Sequence, residues 1–126
     1  MFSHIRRVEI ELHGYCNRKC KWCPNIKLLR EDLSKTMGEN MFIDLITNLR
    51  DNNFGINKYF HPEQYRANPA RPRKPTISFN GYSEPLANAE LIKDRINIAR
   101  SILKDRKVDY CLNTNGDYLT KETIDK

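Results

Sequence analysis

A chain of 126 residues, 39% of them hydrophobic and 30% charged, has room for one domain around one modest core. No apolar run reaches the roughly 18–20 residues that a membrane span needs, and the N-terminal residues lack the apolar region of a secretory signal. The 22 Lys and Arg residues outnumber the 16 Asp and Glu residues, which allows an anionic partner, although a solvated basic surface explains the same excess.

The first part of the chain predicts a strand followed by a helix. Apolar and polar residues alternate over 8–12, as they do in a strand with one apolar face. Thr36 followed by Glu39 has the pattern of a capping box, and apolar residues recur at helical spacing after it. These signals predict a helix over about 38–50.

The stretch 53–75 predicts a long loop. It contains four prolines, which exclude a continuous helix or a central strand, and basic residues recur over 66–74. A loop of this length is typical of either a substrate or partner contact or a surface excursion. Both interpretations stay open from the sequence.

The last part of the chain repeats the alternation of strands and helices. A short strand is predicted over 76–80, and Asn88 is a suitable N-cap for a helix over about 89–104. A third strand is predicted over 108–112, and Thr120 is the N-cap of a third helix.

Strands that alternate with amphipathic helices predict a parallel sheet built from βαβ units. The strands are apolar on one face and polar on the other, whereas a doubly covered parallel sheet is apolar on both. This pattern predicts a curved, barrel-like sheet with a polar interior, to which these residues contribute: Glu9, Glu11, His13, Ser78, Asn80, Asp109, Cys111 and Asn113.

The feature with the clearest chemistry is a cysteine loop that follows the first strand. Cys16, Cys20 and Cys23 have the spacing C-x3-C-x2-C, with Trp22 before the third cysteine. Three clustered thiols indicate metal ligation in a reducing compartment, so we predict a cytoplasmic protein. Three ligands leave one coordination position open for chemistry. A zinc site completed by His13 is the alternative, although the x3 spacing and the lack of a second C-x2-C pair count against zinc.

The cysteine loop resembles the signature of the radical S-adenosylmethionine (SAM) superfamily. Two further motifs match the family in order, and the resemblance covers nearly the whole chain. The sequence Gly81-Tyr82-Ser83-Glu84-Pro85 is similar to the family's Gly-Gly-Glu-Pro motif, although Tyr82-Ser83 replaces its second glycine and adds a residue. Thr114-Asn115-Gly116 is similar to a tripeptide that many members carry after the third strand.

The resemblance implies a 4Fe-4S cluster held by the three cysteines, with SAM chelated to the free iron. In that family one electron cleaves SAM to methionine and a 5′-deoxyadenosyl radical, which abstracts hydrogen from a substrate. The electron comes from a donor such as flavodoxin or ferredoxin. The residues that the resemblance implies for the SAM site are Trp22, Gly81, Tyr82, Ser83, Glu84, Asn113 and Asn115. No catalytic residue is assigned to the substrate.

The resemblance also implies a fold. The family builds a partial (β/α)6 TIM-like barrel, and residues 1–126 supply three βα units. We therefore expect this chain to be the N-terminal half of the core domain of a longer protein, and to be inactive alone. The motifs most resemble the branch that modifies peptides and proteins and often carries auxiliary clusters. A different class of function stays open, namely a non-catalytic zinc or iron–sulfur module that binds an anionic partner such as RNA.

Overall fold

The computed structural model describes residues 2–27, 32–56 and 74–125. In this part of the chain, strands and helices alternate as the sequence predicts. The order is β1 (Arg7–Glu9), a 3₁₀ turn (Pro24–Lys27), α1 (Glu39–Asp51), β2 (Thr76–Phe79), a 3₁₀ turn (Pro85–Asn88), α2 (Ala89–Ile102), β3 (Asp109–Leu112) and α3 (Lys121–Ile124). Most of the predicted loop over 53–75 lies outside the described residues.

The described strands form one parallel sheet in the order β1-β2-β3. Val8 pairs with Ile77, and Ile77 in turn pairs with Tyr110. This mixed arrangement of a parallel sheet and helices is that of a partial TIM-like fold, as predicted. Because all three strands run the same way, their carboxyl ends meet at one edge of the sheet.

The core lies between the sheet and the helices. Its buried side chains come from the strands, from both long helices and from their connections, and Phe42 packs on Phe79 with ring centroids 6.2 Å apart. The core residues are Ile10, Leu12, Phe42, Ile46, Leu49, Phe54, Ile77, Phe79, Ile92, Ala99 and Leu103. The predicted apolar strand faces therefore do face the helices.

A charged side chain joins the two long helices. Arg95 of α2 is only 6% exposed, and its Nη1 lies 3.2 Å from Oε2 of Glu39 in α1. Nη1 also pairs with Asp94, and the guanidinium lies 5.8 Å from the ring centroid of Phe42. A buried guanidinium with carboxylate partners and an aromatic neighbour packs chiefly through its hydrocarbon part and its ring contact.

The predicted capping box of α1 is wrong. The N-cap is Gly38, and no side chain caps the helix. Thr36 forms an antiparallel bridge with His13, so its backbone is engaged three residues before the helix begins. The other half of the predicted box, Glu39, bonds to Arg95 instead. Long-range pairing has replaced the local cap.

The other helix ends agree with the sequence. The side chain of Asn88 accepts the backbone N–H of Leu91 at 3.2 Å at the start of α2. Thr120 caps α3 by accepting the N–H of Thr123 at 3.2 Å. The first strand is shorter than predicted, because ladder pairing of β1 ends at Glu9. None of the helices in the described part of the chain has the length and apolar character that a membrane span needs.

Candidate functional site

Three loops meet at the carboxyl edge of the sheet. The cysteine loop follows β1, residues 81–85 follow β2, and residues 113–117 follow β3. These are the three stretches that carry the sequence motifs. The parallel sheet thus brings together segments that are far apart in the chain.

Glu84 joins the three loops. It is 2% exposed, and its Oε1 accepts the hydroxyl of Thr114 at 2.7 Å while its Oε2 accepts the backbone N–H of Asn115 at 2.7 Å. Oε1 also accepts the N–H of Leu86 at 3.0 Å. The backbone N–H of Glu84 donates to the carbonyl of Tyr15 at 2.8 Å. A carboxylate offers about four acceptor positions, and three of them are taken by donors among the described residues.

Gly81 lies against the carboxylate of Glu11. A Cβ at residue 81 would lie 2.7 Å from Oε1 of Glu11, which is closer than real Cβ contacts. The same Oε1 accepts the backbone N–H of Tyr82 at 2.8 Å. Glycine at this position therefore permits the close approach of Glu11, a partner that the sequence does not indicate. Tyr82 is exposed and Ser83 is half-buried.

The cysteine loop is open to solvent. Cys16 and Cys23 are half-buried, Cys20 is exposed, and all three are free thiols. The N–H of Cys23 donates to the carbonyl of Cys20 at 3.0 Å, which closes the turn between them. Trp22 is 92% exposed, so a contact of its ring with a cofactor stays a prediction.

The three cysteines of this loop are the kind of side chain that binds an iron–sulfur cluster. Free thiols on one short loop are the ligands that such clusters use. Within residues 2–27, 32–56 and 74–125, no group of three or more His, Cys, Asp or Glu side chains is already gathered to hold a metal ion. The fit therefore rests on the identity of the donors and the position of the loop.

A second set of contacts joins the cysteine loop to the turn after β3. Nε of Arg18 donates to Oδ2 of Asp117 at 2.8 Å, and Nη2 donates to Oδ1. Nδ2 of Asn17 donates to Oδ2 of Asp117 at 2.8 Å. Nδ2 of Asn115 donates to Oδ1 of Asn17 at 2.9 Å. The bonds from Arg18, then those from Asn17, lower the pKa of Asp117. We call Asn17, Arg18, Asn115 and Asp117 the loop clamp.

Two tyrosines add a further contact between the same segments. A hydrogen bond with Tyr15 is the main reason that the pKa of Tyr118 is raised to about 12. Tyr15 directly precedes the first cysteine, and Tyr118 follows the loop clamp. The phenol of Tyr118 is therefore held in its neutral form.

His13 lies in the interior beside the site. It is 3% exposed, and its Nδ1 accepts the backbone N–H of Tyr15 at 3.3 Å. Its Nε2 has no hydrogen-bond partner among the described residues. Burial lowers the pKa of His13, against the opposing effects of the Pro85 carbonyl, Glu11 and Glu84. A buried, neutral histidine that already accepts a backbone bond is a poor fourth ligand for the exposed cysteine loop.

The polar face of the sheet carries a small network. Nη2 of Arg7 donates to Oγ of Ser78 at 3.0 Å, and Sγ of Cys111 donates to the same oxygen at 3.2 Å. Asn80 bonds to both Arg7 and Ser78. This network agrees with the polar strand face that the alternation of residues predicts, while the barrel interior stays a prediction. Asn113 is exposed at the end of β3, and its predicted contact with SAM stays a prediction.

Several residues of the site carry no signal in the sequence. Asp117, Asn17 and Tyr118 become part of it only through contacts across the fold. Their spacing from the motifs follows no periodic pattern. Asp117 does lie in a turn that the sequence indicates by Asn115 and Gly116. In that turn the N–H of Asp117 donates to Oδ1 of Asn115 at 2.9 Å.

The fold is that of a class of α/β proteins with functional loops at the carboxyl edge of a parallel sheet. It is similar to BtrN, which was solved in complex with AdoMet and 2-DOIA, with a TM-score of 0.66 and 23% identity over 96% of this chain. The chain spans 40% of the length of BtrN. No protein-family model matches the chain, and no curated protein matches it.

Proposed function

We propose that this chain forms the part of a radical SAM enzyme that binds a 4Fe-4S cluster and SAM. The observation that carries the proposal is the hydrogen bonding of Glu84, which joins the loops after β1, β2 and β3. These are the three loops whose sequences resemble the family's motifs. The similarity of the fold to BtrN, a protein solved with AdoMet, supports SAM as the small molecule.

In this proposal Cys16, Cys20 and Cys23 hold the cluster by three thiolates. When bound, the cluster would supply one electron for the reductive cleavage of SAM, which is the chemistry that the resemblance implies. A one-electron donor, such as a flavodoxin or a ferredoxin, is therefore a required partner. Three cysteines would leave one iron of the cluster without a protein ligand, and a chelating ligand could bind there.

The residues of this chain orient SAM and do not react with it. Glu84 accepts the amino group of SAM at its remaining acceptor position, and a charge-assisted bond of this kind is worth about 1.5–3 kcal/mol. The bonds from Thr114 and Asn115 fix the direction of the carboxylate. Tyr82 and Ser83 lie on the same loop and contribute backbone contacts, while Trp22 lies beside the cofactor.

The proposal treats the chain as the N-terminal portion of the radical SAM core, which supplies the cluster loop and part of the SAM pocket. The substrate class follows from the resemblance alone, which favours peptides and proteins. The basic stretch over 66–74 would suit an acidic substrate, and all of it except Lys74 lies outside the described residues.

The proposal is tested by anaerobic reconstitution of the purified chain with iron and sulfide. We expect about four irons per chain, a brown absorbance, and an electron paramagnetic resonance spectrum of the reduced protein that changes when SAM is added. Cys16→Ala, Cys20→Ala and Cys23→Ala should each lower the iron content severalfold. Cys111→Ala is the matched control, because this thiol lies on β3 and bonds to Ser78.

The alternative, a non-catalytic module, gives a different result in the same experiment. Its iron–sulfur form would turn brown, but its spectrum would not change when SAM is added, and its zinc form would stay colourless. A colourless protein with one zinc per chain, lost in His13→Ala, would contradict the radical SAM proposal. Salt-sensitive binding of RNA to that protein would then support the alternative. The buried position of His13 and its bond from Tyr15 favour the cluster.

A further inference from the structure

The stretch between the first two cysteines is held from one side by a single carboxylate. Asp117 accepts two bonds from the guanidinium of Arg18 and one from the side chain of Asn17, all across the exposed face of the site. Both donors lie between Cys16 and Cys20. A guanidinium that bonds a carboxylate through two nitrogens is fixed in direction as well as in distance.

The turn that carries Asp117 is itself fixed. Gly116 has a φ of 85°, a left-handed conformation that glycine adopts readily, and its N–H donates to Oγ1 of Thr114 at 3.0 Å. Thr114 and Asn115 bond to the buried carboxylate of Glu84. The loop clamp therefore connects the exposed cysteine loop to a buried anchor.

We propose that Asp117 is a positioning residue that preorganises the cysteine loop for its cluster. This inference rests on the proposed function, in which Asp117 is assigned neither to the cluster nor to SAM. A loop that is restrained before it binds loses less conformational freedom on binding, so the clamp favours cluster binding without adding a ligand. Arg18 lies near enough to Cys20 for the two to interact electrostatically, so the clamp also holds a positive charge beside the thiols.

The inference is tested first on the metal-free protein, by the rate at which iodoacetamide alkylates each cysteine. Asp117→Ala should raise the rates at the half-buried Cys16 and Cys23 roughly two- to fivefold, the range expected for release of an exposed ion pair. Cys111 is the internal reference and should keep its rate. Asp44→Ala removes an exposed carboxylate from α1 and should leave every rate unchanged.

A mutant cycle separates the clamp from general loosening of the fold. Arg18→Ala should raise the same two rates, and the double variant with Asp117→Ala should add little, since each change breaks the same contact. The exchange of charges in Arg18→Asp with Asp117→Arg should return the rates toward those of the original protein. A loss of free energy of unfolding in Asp117→Ala that is large enough to account for the raised rates would overturn the inference, because it would show global destabilisation.

The second readout is the rate of iron release from the reconstituted protein to a chelator. Asp117→Ala should speed release by a similar factor, with the initial iron content unchanged. Normal iron binding with unchanged alkylation and release rates would overturn the clamp and leave the proposed function intact. No iron binding by the original protein, together with raised alkylation in Asp117→Ala, would overturn the proposed function but support the clamp as a restraint on the loop.

Discussion

Oε2 of Glu84 accepts the backbone N–H of Asn115 at 2.7 Å, across 31 residues of sequence. The other oxygen of the same carboxylate accepts the hydroxyl of Thr114. Both oxygens of a buried side chain thus face donors from one turn. This makes Glu84 the residue on which the geometry of the site depends most.

Glu84→Gln should destabilise the protein although it changes little in shape. The amide nitrogen of glutamine is a donor, and either orientation of the amide places it against a donor from Leu86, Thr114 or Asn115. A buried donor without an acceptor costs about 1–3 kcal/mol. Urea denaturation monitored by circular dichroism should show a loss of this size in the free energy of unfolding.

Asp44→Asn is the control for this experiment, because Asp44 is exposed on α1 and the change also removes one negative charge. It should alter the free energy of unfolding by less than about 0.5 kcal/mol. If Glu84→Gln were equally mild, the bonds of Glu84 would not stabilise the fold.

Arg95 should tolerate an apolar side chain of similar length but not truncation. Its guanidinium is buried, and its Nε has no hydrogen-bond partner among the described residues. Arg95→Met keeps the packing against Phe42 and removes the cost of burying the charge, so stability should change by less than about 1 kcal/mol. Arg95→Ala should cost about 2–4 kcal/mol because it leaves a cavity. Similar losses in both variants would show that the ion pairs with Glu39 and Asp94 dominate.

Tyr118 should titrate at high pH, and Tyr15→Phe should lower its pKa from about 12 toward the ordinary value of 10.0. The raised pKa means that the folded state favours the neutral phenol. Its contribution to stability is therefore complete below pH 10 and is lost as the pH rises through 12. Absorbance of tyrosinate, compared between the original protein and the variant, measures the shift. A Tyr118 transition that stays near pH 12 in Tyr15→Phe would rule out this bond.

His13 should make stability fall in mild acid. The fold lowers the pKa of His13 below its ordinary value of 6.5. The imidazole therefore binds a proton more readily in the unfolded chain than in the folded protein. The free energy of unfolding should be highest above pH 6.5 and should decrease as the pH falls toward the lowered folded pKa. His13→Leu fills the same space without titrating and should flatten this part of the profile. Urea denaturation at several pH values measures it, and an equal slope in both proteins would assign the effect to another group.

The order of elements could be predicted from the sequence because local signals set it. Asn88 and Thr120 are good N-caps wherever they occur, and their helices begin after them as predicted. The position of the three motifs at one edge could also be predicted, because the strands of a parallel sheet all end at the same edge. The number of strands in the complete barrel stays a prediction.

What the sequence could not reveal depends on contacts between distant residues. Thr36 has the pattern of a helix cap, but a bridge to His13 engages it instead. The resemblance assigns Gly81 to the SAM site, and its neighbour in the structure is Glu11. Asp117 resembles any turn residue until the fold brings Arg18 to it. In each case the local pattern was compatible with two partners, and tertiary packing selected one.

The burial of Glu84 has a consequence for how the site assembles during folding. Its bonds to Tyr15 and Asn115 require the loops after all three strands to be in place, so the site cannot form while any one strand is undocked. Contacts of long sequence separation form late, after the entropy of chain closure has been overcome. The amide protons of Glu84 and Asn115 should therefore exchange with deuterium only in molecules whose whole sheet has opened. An intermediate with one strand detached would keep the three cysteines on their loop but would lack the contacts of Glu84 that join the three loops.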